Sequence, residues 1–241
     1  MKSIPAILLL SFYLHGVAQQ PLSDSAFYNQ SVNVALQSYK KEIQENLHIY
    51  NGSEYLRTGH GVKGTPFFAS DSLLQGDVFY DGRLYKNISI HYDLVTDDVV
   101  INNYAQNNEI KLVPEKLDYF YILQHLFVRI TADSSLPSFI NTGFYEKLLD
   151  GRFSLFARRT KVRRLFGNAS DNDARFNEYN HYFVLLNNTF YRVDDKGDFL
   201  ALMAGKKNEI RKYIKDNKID FNRKREESMV RVAEYYAQLN N

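Results

Sequence analysis

The stretch VFYDGRLYKNISIHYDLV, residues 78–95, decides how this chain folds. At its centre Asp81 and Gly82 form a dipeptide that tolerates positive φ, the requirement of a two-residue type I′ turn between twisted strands. Pairing outward from that turn sets Phe79 opposite Leu84, Val78 opposite Tyr85 and Asp77 opposite Lys86. Two apolar pairs and one pair of opposite charge thus agree on one register. The second strand continues over 88–95. Alternation puts Ile88, Ile90, Tyr92 and Leu94 on one face, and Ser89, His91 and Asp93 on the other. Thr96, Asp97 and Asp98 then turn the chain back into Val99.

Working outward, alternating apolar and aromatic runs punctuated by turn residues predict further strands near 110–113, 119–130, 143–149, 153–159, 181–186 and 190–193. Before them, Val32, Ala35, Leu36, Tyr39, Ile43 and Leu47 recur at helical spacing, so a helix is expected over 31–46. After Asp195 the period becomes helical throughout. Leu200, Met203, Ile210, Tyr213, Ile214, Met229, Val232, Ala233 and Tyr236 anchor three short helices, with breaks at Gly205 and at Asn222, the latter also an N-cap. The fold class is α+β: an N-terminal helix, a curved antiparallel β meander over 55–193, and C-terminal helices over 196–241 packed on the sheet.

The first residues, MKSIPAILLLSFYLHGVAQQ, carry one cation at Lys2, an apolar run from Ile4 and small residues at Gly16 and Ala18. That is the layout of a secretory signal peptide, with cleavage expected after Ala18. As a helix the run would reach ~22 Å, short of a ~30 Å hydrocarbon core, so no transmembrane segment is expected in the mature protein. Export implies a periplasmic or extracellular protein, and with no cysteine its stability must come from a single core-bearing domain over 19–241. The formal charge of +2 supplies no global field for nucleic acid, which is not an expected partner. There are 18 Tyr, 17 Phe and no Trp, an aromatic weight that suits cross-strand packing. Five N-x-S/T sequons, at Asn29, Asn51, Asn87, Asn168 and Asn187, carry meaning only in a eukaryotic secretory pathway.

The runs YNGSEY at 50–55, GVKGTPFF at 61–68 and GDVFYDGRLYKNISIHYDLVTDDVVI at 76–101 resemble a group of uncharacterised secreted proteins from Bacteroidota. GFYEKLLDGRFSLFARR and FLALMAGKKNEIRKYIKDNKIDF further along are similar to the same group's later strands and helices. The resemblance implies an exported or envelope protein of a Gram-negative bacterium with an antiparallel sheet and terminal helices, and it implies no activity.

Reaction motifs are sparse. GHGVKG at 59–64 fits the GxGxxG spacing, but Thr65 and Pro66 follow where a phosphate-binding helix would begin, so a turn between strands is expected and no cofactor. DNDARFNE at 171–178 lacks the glycine and third early ligand of a calcium loop, and DDKGD at 194–198 reads as a turn entering a helix, so no metal is expected. Neither a GxSxG elbow nor HExxH is present, and thiol catalysis is excluded. His91 and Asp93 share a strand face without a visible third group, which favours a polar, solvated side of the sheet over a reactive site. The basic run is the stronger signal: Arg152, Arg158, Arg159, Lys161, Arg163 and Arg164, with no acid between Asp150 and Asp171. Alternation would turn Arg158 and Arg164 to one face and Arg159, Lys161 and Arg163 to the other. Candidate ligand-binding residues are therefore Arg158, Arg159, Lys161, Arg163, Arg164, His91 and Asp93, with no catalytic residue assigned.

The expectation is an exported, non-catalytic binding or structural protein of the bacterial envelope. Its partner would be another envelope protein, a glycan or an amphiphile. Two alternatives are a carrier holding a hydrophobic or amphiphilic ligand in an open sheet cavity, and an enzyme of unrecognised type using the His91/Asp93 face.

Overall fold

The computed structural model describes residues 28–35, 48–59, 61–103, 106–165 and 174–239. The chain divides into two compact units, 1–46 and 47–241. In the first, residues 28–35 form an exposed helix, α1; the rest of the helix expected over 31–46, the leader peptide and the sequon at Asn168 lie outside the described residues.

In the second unit, eleven strands among the described residues form one antiparallel sheet. They are β1 (Ser53–Glu54), β2 (Leu74–Tyr80), β3 (Arg83–Asp93), β4 (Asp98–Asn103), β5 (Asn108–Lys111), β6 (Leu117–Ile122), β7 (His125–Ile130), β8 (Gly143–Leu149), β9 (Phe153–Leu165), β10 (Ala174–Leu186) and β11 (Thr189–Val193). Three helices follow: α2 (Lys196–Ala201), α3 (Lys207–Asp216) and α4 (Arg225–Gln238).

The spatial order β1-β5-β4-β3-β2-β6-β7-β8-β9-β10-β11 is not one uninterrupted meander. The hairpins from β2 to β5 run one way across the sheet; the link through Leu112 and Pro114 then carries the chain back so that β6 pairs with the free edge of β2. Leu112 is buried beneath the sheet on the way, which anchors the crossing.

The Asp81–Gly82 turn forms, with positive φ at both residues, and pairs Val78 with Tyr85 and Phe79 with Leu84. The third expected pair is replaced by a bulge. Register moves from Val78↔Tyr85 to Gly76↔Ile88, so Asp77 faces both Lys86 and Asn87. Asn87 takes φ 54° and donates its amide to Asp77 Oδ1 at 3.0 Å, which holds the extra residue. The stretch 119–130, expected as one strand, is a hairpin: β6 and β7 meet at Leu123 and Gln124, with Leu123 at φ 56°. β9 and β10 are each 13 residues long and extend well past the expected ends as a paired ribbon.

The inner face of the sheet is apolar and filled. Tyr80, Ile90, Tyr92, Ile101, Phe120 and Phe127 have no solvent exposure, and Phe120 and Phe127 stack at 5.0 Å beside the ring of Tyr92. Aromatic rings therefore fill this part of the inner face. The sheet curls so far that Lys161 of β9 donates its backbone N–H to Leu94, just past β3, although four strands separate β3 from β9 in the order. Farther along, the inner face of β8–β11 is covered by the C-terminal helices. Leu155, Ala157, Tyr182 and Val184 pack with Phe199, Ile210, Met229 and Val232 in one cluster.

Asp195 caps α2 by accepting the amide of Asp198 at 2.9 Å, while Asp198 accepts that of Asp194, so DDKGD is a helix entry. Gly205 lies in a short 3-10 turn between α2 and α3. Asn222 is not the N-cap of α4; Asp220 Oδ1 accepts the amides of Asn222 and Arg223 instead. No described helix is long and apolar enough to cross a membrane.

Candidate functional site

The expected wet face of β3 is buried. His91 is 6 % exposed and Asp93 fully enclosed, because the chain over 55–59 and 61–68 lies across them as a strap. Its glycines sit in positive-φ turns at Gly59, Gly61 and Gly64 with no helix after them, as expected of a linker rather than a dinucleotide loop. The strap is tied down by main-chain bonds: Phe68 N to Tyr92 O at 2.8 Å and Leu94 N to Pro66 O at 3.0 Å. On its far side Lys63 N bonds Ala174 O, joining it to β10.

Under the strap, Asp93 is fully engaged. Tyr55 donates its hydroxyl at 2.6 Å, and the amides of Val95 and Thr96 point at the other carboxylate oxygen. Burial, reinforced by Asp93, pushes the Tyr55 hydroxyl far above its ordinary pKa, so it remains a donor. Phe67 stacks on the His91 ring at 3.9 Å, and the Arg57 guanidinium sits over Phe67. The Nδ1 of His91 lies 3.5 Å from Glu109 Oε1. Burial lowers the His91 pKa, with Glu109 pulling the other way. A neutral imidazole under a phenyl ring, next to a carboxylate already satisfied, is a packing element; it corrects the expectation of a solvated face.

The basic run divides as alternation requires, but the inward half is not available to a ligand. Arg159 is 7 % exposed and forms ion pairs with Glu146 and with both oxygens of Glu226 at 3.0 Å. Tyr182 donates to Glu226 at 3.0 Å and His125 Nδ1 meets Glu146, so this network joins β7, β8, β9, β10 and α4. Burial opposes the Arg159 charge, yet the two carboxylates more than offset it and raise its pKa. Lys161 spends its ammonium on the strap carbonyls of Thr65 and Phe67, at 3.1 and 2.5 Å. Burial lowers its pKa, with Glu178 and Asp93 opposing. Both side chains tie parts of the protein together. Arg163, on the same alternation, is exposed.

The outward half is different. The register pairs Arg158 with His181, Thr160 with Tyr179, Val162 with Asn177 and Arg164 with Arg175. Between Arg158 and Arg164 this outer ladder contains no carboxylate, and it opposes Arg164 directly to Arg175. The two cations are therefore direct neighbours on the outer side of the ribbon. Arg164 also lies over Tyr179, 5.5 Å from the ring centre.

At the Arg158 end the ladder opens into a cleft of about 320 Å³ lined by Phe139, Asn141, Tyr145, Arg158, Thr160, His181, Phe183 and Arg192. Its floor is set by the loop between β7 and β8, where Ile140, Phe139 and Leu136 pack on Tyr145 and Phe183. Arg158 is held in place rather than consumed. Its Nη2 donates to Asp97 at 2.9 Å, its Nη1 to Phe144 O at 3.1 Å, and its plane lies over Tyr145. Asp97 in turn accepts from Tyr92 at 2.6 Å and from Phe144 N; burial raises its pKa and Arg158 opposes the rise. Gly143, at φ 151°, makes room for this pair: a Cβ there would overlap both Arg158 and Asp97. Arg192 pairs with Asp194 at the rim and is half exposed.

Thus Arg158 and Arg164 belong to one outer surface, whereas His91, Asp93, Arg159 and Lys161 do not. His181, Arg175 and Arg192 escaped sequence reasoning; the signal that finds His181 and Arg175 is the β10 alternation read against the β9 register, while Arg192 is reached only through the β10–β11 pairing that sets it opposite Phe183. No cluster of metal-ligating side chains occurs among the described residues. No known protein family, curated protein or solved structure matched the chain.

Proposed function

We propose that this is an exported, non-catalytic binding protein of a bacterial envelope, and that the outer face of β9–β10 with its adjoining cleft binds an acidic glycan. The observation that carries this reading is the acid-free ladder of Arg158, His181, Arg164 and Arg175 in direct register. An extended ligand bearing carboxylates at intervals matches guanidinium geometry with bidentate bonds. In the cleft, Asn141, Thr160 and His181 offer hydrogen bonds to hydroxyl groups. Export rests on the N-terminal leader-like stretch. The carboxylates of Asp93 and Glu146, both buried, and of the half-buried Asp97 are each bound by protein donors, which suits scaffolding better than turnover.

Titrating the protein with oligogalacturonate by calorimetry tests the reading. Binding should weaken steeply with salt, and R164Q and R175Q should each reduce affinity several-fold. A neutral oligosaccharide should bind far less. Equal affinity for both polymers, or no response to R164Q and R175Q, refutes the assignment.

A further inference from the structure

We propose a second binding site, at the opposite end of β9 and β10, for a compact anionic amphiphile with an aromatic or short acyl body and one acidic head. A cavity of about 530 Å³ opens there, within the ~300–1,000 Å³ usual for small-molecule sites. It forms where three elements stop together: the β8–β9 turn at Gly151, the β10–β11 turn at Asn187, and the last turn of α4 at Ala237.

The floor is apolar and fixed. Phe153, 3 % exposed, meets Tyr236 edge-on at 5.3 Å and Phe199 at 5.8 Å, and Leu186 pairs with Phe153 across the strands. Apolar wall left facing water is an incentive to bind, worth ~25 cal/mol per Å² covered.

The mouth selects the head group. Arg152 lines it, is exposed, and has no ion pair or hydrogen bond among the described residues. Asp150 beside it does not neutralise it, being held by Lys147 at 3.2 Å and by the Gly151 amide at 3.1 Å. The last carbonyls of α4 oppose an anion at this end, but that of Tyr235 is already taken by the Leu239 amide. A planar guanidinium over an apolar floor fits a carboxylate or sulfonate attached to a greasy body. The site lies ~35 Å along β9 from Arg164, far enough to act independently of the ladder.

The test is a fluorescence titration of the full chain with 8-anilinonaphthalene-1-sulfonate, alongside the uncharged N-phenyl-1-naphthylamine. One molecule of the sulfonate should bind, R152Q should weaken it about tenfold while leaving the neutral dye unchanged, and A237W should remove both by filling the cavity from its exposed rim. Far-UV circular dichroism and a melting curve on A237W establish that the fold is retained, and R83Q, an exposed cation at the β2–β3 hairpin outside both sites, serves as the charge control that should leave dye binding unchanged. Absence of sulfonate binding, binding that survives A237W, or indifference to R152Q each overturns the proposal.

Discussion

Replacing Arg159 by Met should be among the most damaging single changes in the molecule, and its size follows from what it leaves behind. Glu146 is 4 % exposed and faces Arg159 at the junction of sheet and helices. Without the guanidinium the Glu146 carboxyl is left in a site cut off from water, with the partly exposed His125 as its remaining ion-pair partner among the described residues. Breaking a buried pair from one side costs ~3–5 kcal/mol. Glu226 adds little because it is one-third exposed and keeps Tyr182. For a chain of this size the corresponding fall in Tm is roughly 6–20 °C. R159M/E146M removes both charges and fills the space with apolar atoms, so it should recover most of the loss, leaving a coupling of ~2–3 kcal/mol between the two positions. Urea unfolding followed by far-UV circular dichroism measures all three variants; the chain has no Trp, so the common fluorescence assay does not apply. If R159M lies within 1 kcal/mol of the parent by the linear extrapolation, or if the two single changes simply add, the network is not the tie inferred here.

Three other outcomes follow from the same geometry. His91 has a lowered folded-state pKa, so as pH falls through its unfolded value of ~6.5 the unfolded chain takes up a proton that the folded chain refuses, and stability drops. H91F should therefore gain relative to the parent between pH 8 and pH 5; a stability difference independent of pH over that window contradicts the burial argument. Y55F removes the donor to Asp93 and should cost ~1.5–3 kcal/mol, with faster hydrogen exchange at the Phe68 and Leu94 amides under the strap. G143A should cost ~1–3 kcal/mol from backbone strain alone and should also displace Arg158, seen as weakened glycan binding; unchanged stability and binding together would rule out the tight approach described.

What could be read in advance was local, and what could not was remote. The Asp81–Gly82 hairpin depends on neighbours a few residues apart, and it formed; the alternation of β3 is equally local, but its polar face proved to be covered rather than wet. The β6–β7 turn escaped because Leu123 and Gln124 carry no turn chemistry, and the positive φ of Leu123 is imposed by the pairing on either side. The bulge at Asp77 escaped because an Asn at 87 is compatible with a regular strand as well as with φ 54°. Burial of His91 and Asp93 depends on Tyr55, 38 residues upstream of Asp93, crossing over them. Arg159 reads like any surface cation until Glu226, 67 residues later, is brought against it by α4. The candidate ladder lies between these cases: alternation separated Arg158 and Arg164 from their neighbours, but His181 and Arg175 needed the register of β10.

The meeting of Lys161 with Leu94 has a mechanical consequence. Elsewhere around the curl, adjoining strands share ladders that must be sheared many bonds at a time, whereas this junction is one amide contact reinforced by the ammonium of the same lysine and by the strap. Under load the molecule should part along that line first, peeling like a zip, and a gentle tug in an optical trap across positions 94 and 161 would gape the curl while leaving its paired strands whole.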